Sequence, residues 1–187
     1  MSATLLTAPT GLPVTLAEAK DDLRIDDASQ DAVVTAWLAG ITDYTEHRLG
    51  RALLTQTWRV WADVFPDAFM VPRPPAASVT AIRYFDSANV QQTINPADFT
   101  LDAAKLPGWI VPAAGKAWPA TYDRINACWA DVICGYGTAD DVPAAIKLFI
   151  RAKLREQFDP AVRPEKDTVQ SSFLDRLLDP YMIWQVA

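Results

Sequence analysis

The spacing of the apolar residues changes twice along this chain of 187 residues, and the two changes limit the folds open to it. Up to residue 54 apolar residues recur at helical intervals, over 55–134 they alternate as in strands, and after residue 135 the helical spacing returns. We therefore predict an α+β fold. Its helical core, from 1–54 and 135–187, has two N-terminal helices, one long helix and one C-terminal helix, with an antiparallel β subdomain of 55–134 inserted.

The two N-terminal helices have clear local signals. Thr15 and Glu18 have the spacing of a capping box, so the first helix begins there and is predicted to end at Asp26-Asp27. Asp27 or Ser29 is predicted to cap the second helix, and Gly50 to end it. The second helix has a broad apolar stripe, as is typical of a helix with more than one neighbour: Val33, Val34, Trp37, Leu38, Ile41, Tyr44, Arg48 and Leu49.

The middle third is rich in β-branched and aromatic residues. A turn is expected at Asp86-Ser87-Ala88-Asn89, and the run Pro72-Arg73-Pro74-Pro75 indicates an edge or a connector, because proline cannot donate to a central ladder. The predicted strands are 55–61, 69–71, 78–85, 90–94, 99–101, 109–111 and 124–134.

Two more helices are expected after the β segment. Pro143 suits the first turn of the long helix, which Asp159-Pro160 should end. Residues 163–166 resemble a polar linker. Ser171 or Ser172 is predicted to cap the last helix, which Pro180 ends.

Composition excludes several classes of protein. The net charge of −6 and the pI of about 4.7 argue against a protein that coats nucleic acid. Two cysteines and one histidine cannot form a disulfide framework or a histidine-rich metal cage. No signal peptide and no apolar run of membrane-spanning length is recognisable, so we expect a soluble chain made in a cytoplasm, with no membrane partner.

Few residues suggest chemistry. His47 could act as a base with Asp43 or Glu46, but a surface helix of mixed charge explains these residues better. Cys128 and Cys134 should lie on one face of a strand as two small buried hydrophobic residues.

Two short motifs are also incomplete. Gly135-Tyr136-Gly137 lacks the third glycine of a dinucleotide loop. The aspartates between residues 21 and 31 lack the order of a calcium loop. We predict no catalytic residue, cofactor or metal.

Charged and aromatic residues leave two alternatives open. Lys147, Arg151 and Arg155 form a basic line along the long helix, which is either a solvated face or a contact with an acidic subunit or DNA. Trp58 and Trp61 should point to opposite faces of one strand, and Trp184 follows the last helix. These tryptophans either enter one core or contact other proteins.

Several segments together resemble one family over roughly residues 13–158. They are Leu16-Ala17-Glu18-Ala19-Lys20, the stretch from Gly50 to Trp58, Pro72-Arg73-Pro74-Pro75, the Ser78-Val79 strand, and Gly135-Tyr136-Gly137 leading into Val142-Pro143. In this order they are similar to the head–tail connector (adaptor) proteins of long-tailed bacteriophages and phage-like gene transfer particles.

That resemblance implies a structural protein of the particle's head–tail junction, not an enzyme. It implies a homo-oligomeric ring, commonly twelve-fold, beneath the portal protein, with a tail-side stopper or terminator as the next partner. DNA would pass through the lumen without sequence-specific binding. Lys147, Arg151 and Arg155 become candidates for subunit contacts or for lining the lumen. The candidates for docking on the portal are Phe173, Leu174, Leu177, Leu178, Tyr181 and Trp184.

Three alternatives remain open. The first is a tail-completion or stopper protein of the same particle. The second is a small hydrolase that depends on His47, and the third is a homodimeric α+β binding module.

Overall fold

The computed structural model describes residues 1–158 and 169–183, which form a mixed α+β protein. Its contacts divide the chain into a β unit (Met1–Pro9 and Thr55–Tyr136) and a helical unit (Thr10–Leu54 and Gly137–Ala187). The linker expected at 163–166 lies outside the described residues.

The β unit contains two antiparallel sheets. The strands are β1 (Ser2–Thr7), β2 (Gln56–Ala62), β3 (Phe69–Met70), β4 (Ala76–Phe85), β5 (Gln91–Thr93), β6 (Phe99–Asp102), β7 (Trp109–Pro112) and β8 (Cys128–Cys134). The larger sheet has the order β1-β2-β8-β4-β5, and the smaller has the order β3-β7-β6. The strand predicted over 124–134 therefore begins later, at Cys128. Sequence patterning predicted no strand at β1.

The two faces of the larger sheet differ in chemistry. On one face Tyr84 of β4 contacts Phe65, whose ring also meets Phe69 of the smaller sheet, so aromatic side chains join the two sheets. On the other face the rings of Trp61 and Trp129 lie 5.1 Å apart. Trp58 instead shares a face with Gln56, and Trp58 Nε1 donates a hydrogen bond to Gln56 Oε1 at 3.0 Å. The prediction that Trp58 and Trp61 point to opposite faces is confirmed.

The helical unit contains α1 (Leu16–Leu23), α2 (Asp31–Leu49), α3 (Ala144–Phe158) and α4 (Val169–Arg176). The Thr15–Glu18 capping box and the left-handed Gly50, with φ of 67°, are both confirmed. Three predicted boundaries are wrong. α1 ends at Leu23, before Asp26-Asp27; α2 begins after Gln30, with no side-chain cap; and α4 begins before Ser171.

Asp27 does not cap α2 because its side chain has another role. It accepts hydrogen bonds from the backbone N–H and the hydroxyl of Ser29, which closes a tight turn ahead of the helix. Those hydrogen bonds lower the pKa of Asp27.

Candidate interaction surfaces

Helix α2 presents two apolar faces, of which only one is buried in the helical unit. The buried face consists of Val34, Leu38, Ile41, Thr45 and Leu49, and the Thr45 hydroxyl donates to the carbonyl of Ile41 at 2.7 Å. The opposite face, called here the α2 outer face, consists of Ala32, Val33, Ala36, Trp37, Gly40 and Tyr44. Val33, Trp37 and Tyr44 are 51%, 44% and 52% exposed. The prediction of a broad apolar stripe is confirmed, but three of its eight residues, Val33, Trp37 and Tyr44, face solvent.

The α2 outer face is also uncharged over most of its length. No charged side chain occurs in residues 32–42, between Asp31 and Asp43. A shallow groove of about 380 Å³ lies against Ala32, Val33, Ala36 and Trp37. Such a groove suits an apolar partner and not an ion.

The basic line of α3 has two kinds of members. Arg151 forms a two-pronged ion pair with Asp22 of α1, with Nε 2.5 Å from Oδ2 and Nη2 2.6 Å from Oδ1. This hydrogen bonding lowers the pKa of Asp22 and raises that of Arg151. Arg151 thus ties α3 to α1, while Arg155 is exposed and Lys147 is half-buried. Leu148 is 50% exposed.

The C-terminal segment is held on the helical unit by polar contacts at the end of α2. Arg48 Nη1 donates to Asp175 Oδ1 at 2.6 Å, Arg51 Nε donates to the Tyr181 carbonyl at 2.5 Å, and the Ile183 N–H donates to the Leu49 carbonyl at 3.2 Å.

The six predicted docking residues differ in accessibility. Phe173 is 63% exposed, Leu174, Leu177 and Tyr181 are half-buried, and Trp184 lies outside the described residues. Leu178 is fully buried, so it packs inside the unit and is not part of the surface.

A polar network that patterning did not predict lies on the Trp61 face of the β sheet. Asp131 on β8, only 4% exposed, accepts from Arg59 Nε at 2.6 Å and Nη2 at 2.9 Å, and from Arg83 Nη1 at 3.1 Å. Arg59 also lies over the Trp61 and Trp129 rings. The carboxylate raises the pKa of Arg59. Two guanidinium groups and one carboxylate leave the network with a net positive charge.

The residues that the sequence singled out for possible chemistry are either exposed, bonded to the backbone or buried. His47 and Asp43 are exposed, whereas Glu46 Oε1 accepts from the Leu53 N–H at 2.6 Å and so satisfies the backbone beyond α2. Cys128 and Cys134 are buried and unbridged, as predicted, and burial raises the pKa of each thiol to about 12.

The described part of the chain holds neither a cluster of metal-ligating side chains nor a membrane-spanning helix. No group of three or more histidine, cysteine, aspartate or glutamate side chains in residues 1–158 and 169–183 could hold a metal ion. None of the helices over those ranges has both the length and the apolar character needed to cross a bilayer.

Comparison with known proteins confirms the resemblance found in the sequence. Residues 13–95, which run from before α1 through β5, match the model of the phage gp6-like head-tail connector protein family. Among curated protein sequences none matches the chain.

Solved structures extend the likeness to the whole fold. The chain is similar to one from the virion of a native gene transfer agent (GTA) particle, with a TM-score of 0.81 and 20% identity. It also resembles chains from the neck of an empty GTA particle computed with C6 symmetry (0.75, 21%) and of a native one computed with C12 symmetry (0.68, 22%). Each match covers 100% of this chain and 98% of the other. The fold is therefore that of these GTA particle proteins.

Proposed function

We propose that this chain is a structural head–tail connector of a phage or phage-like particle. It forms a ring beneath the portal, joins the portal to the tail and lets DNA pass. The observation that carries the proposal is the connector-family match over 13–95, together with the end-to-end likeness to proteins of GTA particles and necks. The symmetry named for two of those necks supports a ring of six-fold or twelve-fold order.

The charge of the chain suits a conduit for DNA. With a net charge of −6, the protein repels the phosphate backbone at long range, so that DNA slides without being gripped. Arg151 is engaged by Asp22, so of the basic line on α3 we assign Arg155 and Lys147 to the lumen or to a subunit contact.

The C-terminal segment is the portal-docking element in this proposal. Phe173, the most exposed of its described apolar residues, is the anchor, flanked by Leu174, Leu177 and Tyr181. An exposed aromatic ring on a short helix fits a groove on a partner, since aromatic anchors dominate protein interfaces. The contacts of Arg48 and Arg51 and the buried Leu178 hold this segment in place.

Point variants test docking better than truncation, because a chain cut before α4 would also lose Leu178, which follows the helix and is buried in the helical unit. We expect Phe173→Ser to weaken binding to the purified portal about tenfold or more, measured by co-sedimentation and native mass spectrometry. Val64→Ser is the matched control, since Val64 is 66% exposed on the β unit. Equal binding by Phe173→Ser and the control would refute the docking assignment. Normal joining of heads and tails in particles that lack this protein would refute the connector function.

A further inference from the structure

The α2 outer face is unlike the solvent side of an ordinary helix. A surface helix carries polar or charged residues on the face away from its core, whereas a helix that is apolar all round is covered. Residues 32–42 have no charge, and Val33 and Trp37 leave about half of their surface open to solvent. Tyr44 extends the same face by two turns. These features indicate a surface that is buried in the assembled protein.

The small residues on this face define the shape of its partner. Ala32, Ala36 and Gly40 recur every four residues, and nothing lies within 4 Å of where a Gly40 Cβ would be. A row of small side chains at this spacing lets another helix approach closely along the groove. Trp37 stands beside the row as the large anchor that such contacts use.

The exposed face of α3 offers the matching surface. Ala144, Leu148 and Arg155 lie on it, at helical spacing. On α3, Arg155 follows Leu148 by seven residues, or two helical turns. On α2, Tyr44 follows Trp37 by the same interval, and Asp43 is next to Tyr44. If α3 runs parallel to α2 with Leu148 against Trp37, opposite charges meet two turns further along.

We infer that the α2 outer face binds the exposed face of α3 from a second copy of this chain, with Leu148 against Trp37 and Arg155 near Asp43. Each copy then uses two different faces, and such head-to-tail contacts close into rings. The face from residue 32 to 44 is about 18 Å long and about 10 Å wide. Its area of about 180 Å² is smaller than the roughly 800 Å² that each partner buries in a usual interface, so residues around it would complete the contact. This inference deepens the proposed function and rests on its ring.

Disulfide crosslinking between two variants, each with one added cysteine, tests the contact, because the two added cysteines are never in the same chain. Trp37→Cys and Leu148→Cys are mixed, assembled on the portal and oxidised. The native Cys128 and Cys134 should not form disulfides, because they are buried and burial raises the pKa of each thiol to about 12. We expect a crosslinked dimer from the mixture but from neither variant alone. The control mixture replaces Leu148→Cys with Val64→Cys on the β unit and should give no dimer.

A charge exchange tests the register of the two helices. Asp43→Lys and Arg155→Glu each place like charges together, and we expect each to lower the yield of closed rings about threefold to tenfold. The double variant should recover most of the yield, because it restores an opposite pair. Recovery is a readout that mere destabilisation of either helix would not produce.

The outcomes separate this inference from the function on which it rests. Rings that form on the portal, but give no Trp37–Leu148 crosslink and no charge rescue, would overturn the inference and leave the connector function intact. A Trp37→Cys dimer formed without the second variant would mean a two-fold contact and would also overturn it. Failure of the wild-type chain to bind the portal would instead refute the proposed function.

Discussion

Replacement of Asp131 by asparagine should strongly destabilise the β unit. Asp131 is 4% exposed, and its carboxylate accepts three hydrogen bonds, from Arg59 at 2.6 and 2.9 Å and from Arg83 at 3.1 Å. An asparagine of the same shape keeps one oxygen but turns an NH₂ group toward a guanidinium. Loss of one partner from a buried ion pair costs about 3–5 kcal/mol. Because the Arg59 and Arg83 side chains remain 21% and 33% exposed, water offsets part of the loss. We expect a cost of about 2–3 kcal/mol.

Urea unfolding followed by tryptophan fluorescence measures this cost, since five of the seven tryptophans lie in the β unit. At a typical slope of about 2 kcal/mol per molar urea, the midpoint should fall by about 1–1.5 M. Asp98→Asn is the matched control: Asp98 pairs with Lys116 at 3.0 Å, but both side chains are exposed. It should cost less than about 0.5 kcal/mol. Equal midpoints for the two variants would refute the reasoning.

A triple variant separates the unpaired charge from the lost hydrogen bonds. Asp131→Leu combined with Arg59→Met and Arg83→Met removes the whole network and replaces it with apolar side chains. Such exchanges are often neutral or stabilising. We therefore expect the triple variant to be more stable than Asp131→Asn, and a lower midpoint would show that the network itself carries the stability.

Three further predictions concern local features. Gly50→Ala should lower the free energy of unfolding by about 1 kcal/mol, because only glycine adopts the φ of 67° without strain. Gly40→Ala, in the open middle of α2, should instead raise the melting temperature. Equal shifts of the melting temperature in calorimetry would contradict both expectations. Cys128 and Cys134 should resist alkylation at about pH 8 in the folded protein and react in urea, as mass spectrometry would show; rapid labelling of the native state would disprove their burial. Asp22, whose pKa is lowered in the folded state, adds stability that is present at neutral pH and lost as the pH falls through that lowered pKa. Asp22→Asn should therefore melt below the wild type at about pH 6, with a gap that narrows toward about pH 3; a constant gap would exclude the linkage.

The features that could be predicted from the sequence are those whose partners lie close along the chain. Thr15 and Glu18 are three residues apart, and Gly50 ends its helix through its own backbone, so local chemistry decides both. Strand alternation over Trp58 and Trp61 is equally local. The helix–β–helix order follows from the same short-range patterns.

Features set by distant pairing could not be predicted in this way. Strand β1 is extended because Ser2 to Leu5 pair with β2, more than fifty residues away, and its own composition is a weak signal. The ladder register brings Arg59 and Arg83 to Asp131 across 72 and 48 residues. Register depends on the assembled sheet and not on any short stretch of sequence.

For the candidate surface residues too, the sequence predicts the apolar pattern of a helix but not which of its residues are exposed. The apolar period of α2 predicted that the helix has several neighbours, but it could not say that Val33 and Trp37 lie on the side left open. Leu178 and Phe173 follow one apolar pattern, yet the structure buries the first and exposes the second. Only the packed unit distinguishes core from surface within a single stripe.

The division of the chain into units has a consequence for the order in which the protein can be completed on the ribosome. Both units are built from two separate stretches, and α2 ends at Leu49 whereas α3 begins only at Ala144. At a synthesis rate of about 5–20 residues per second, the intervening stretch of about 95 residues takes about 5–19 seconds. Throughout that time the inner stripe of α2, with Leu38 and Leu49, has no α3 to pack against. During this interval the exposed apolar residues of α1 and α2 in the nascent chain can bind chaperones or associate with other chains.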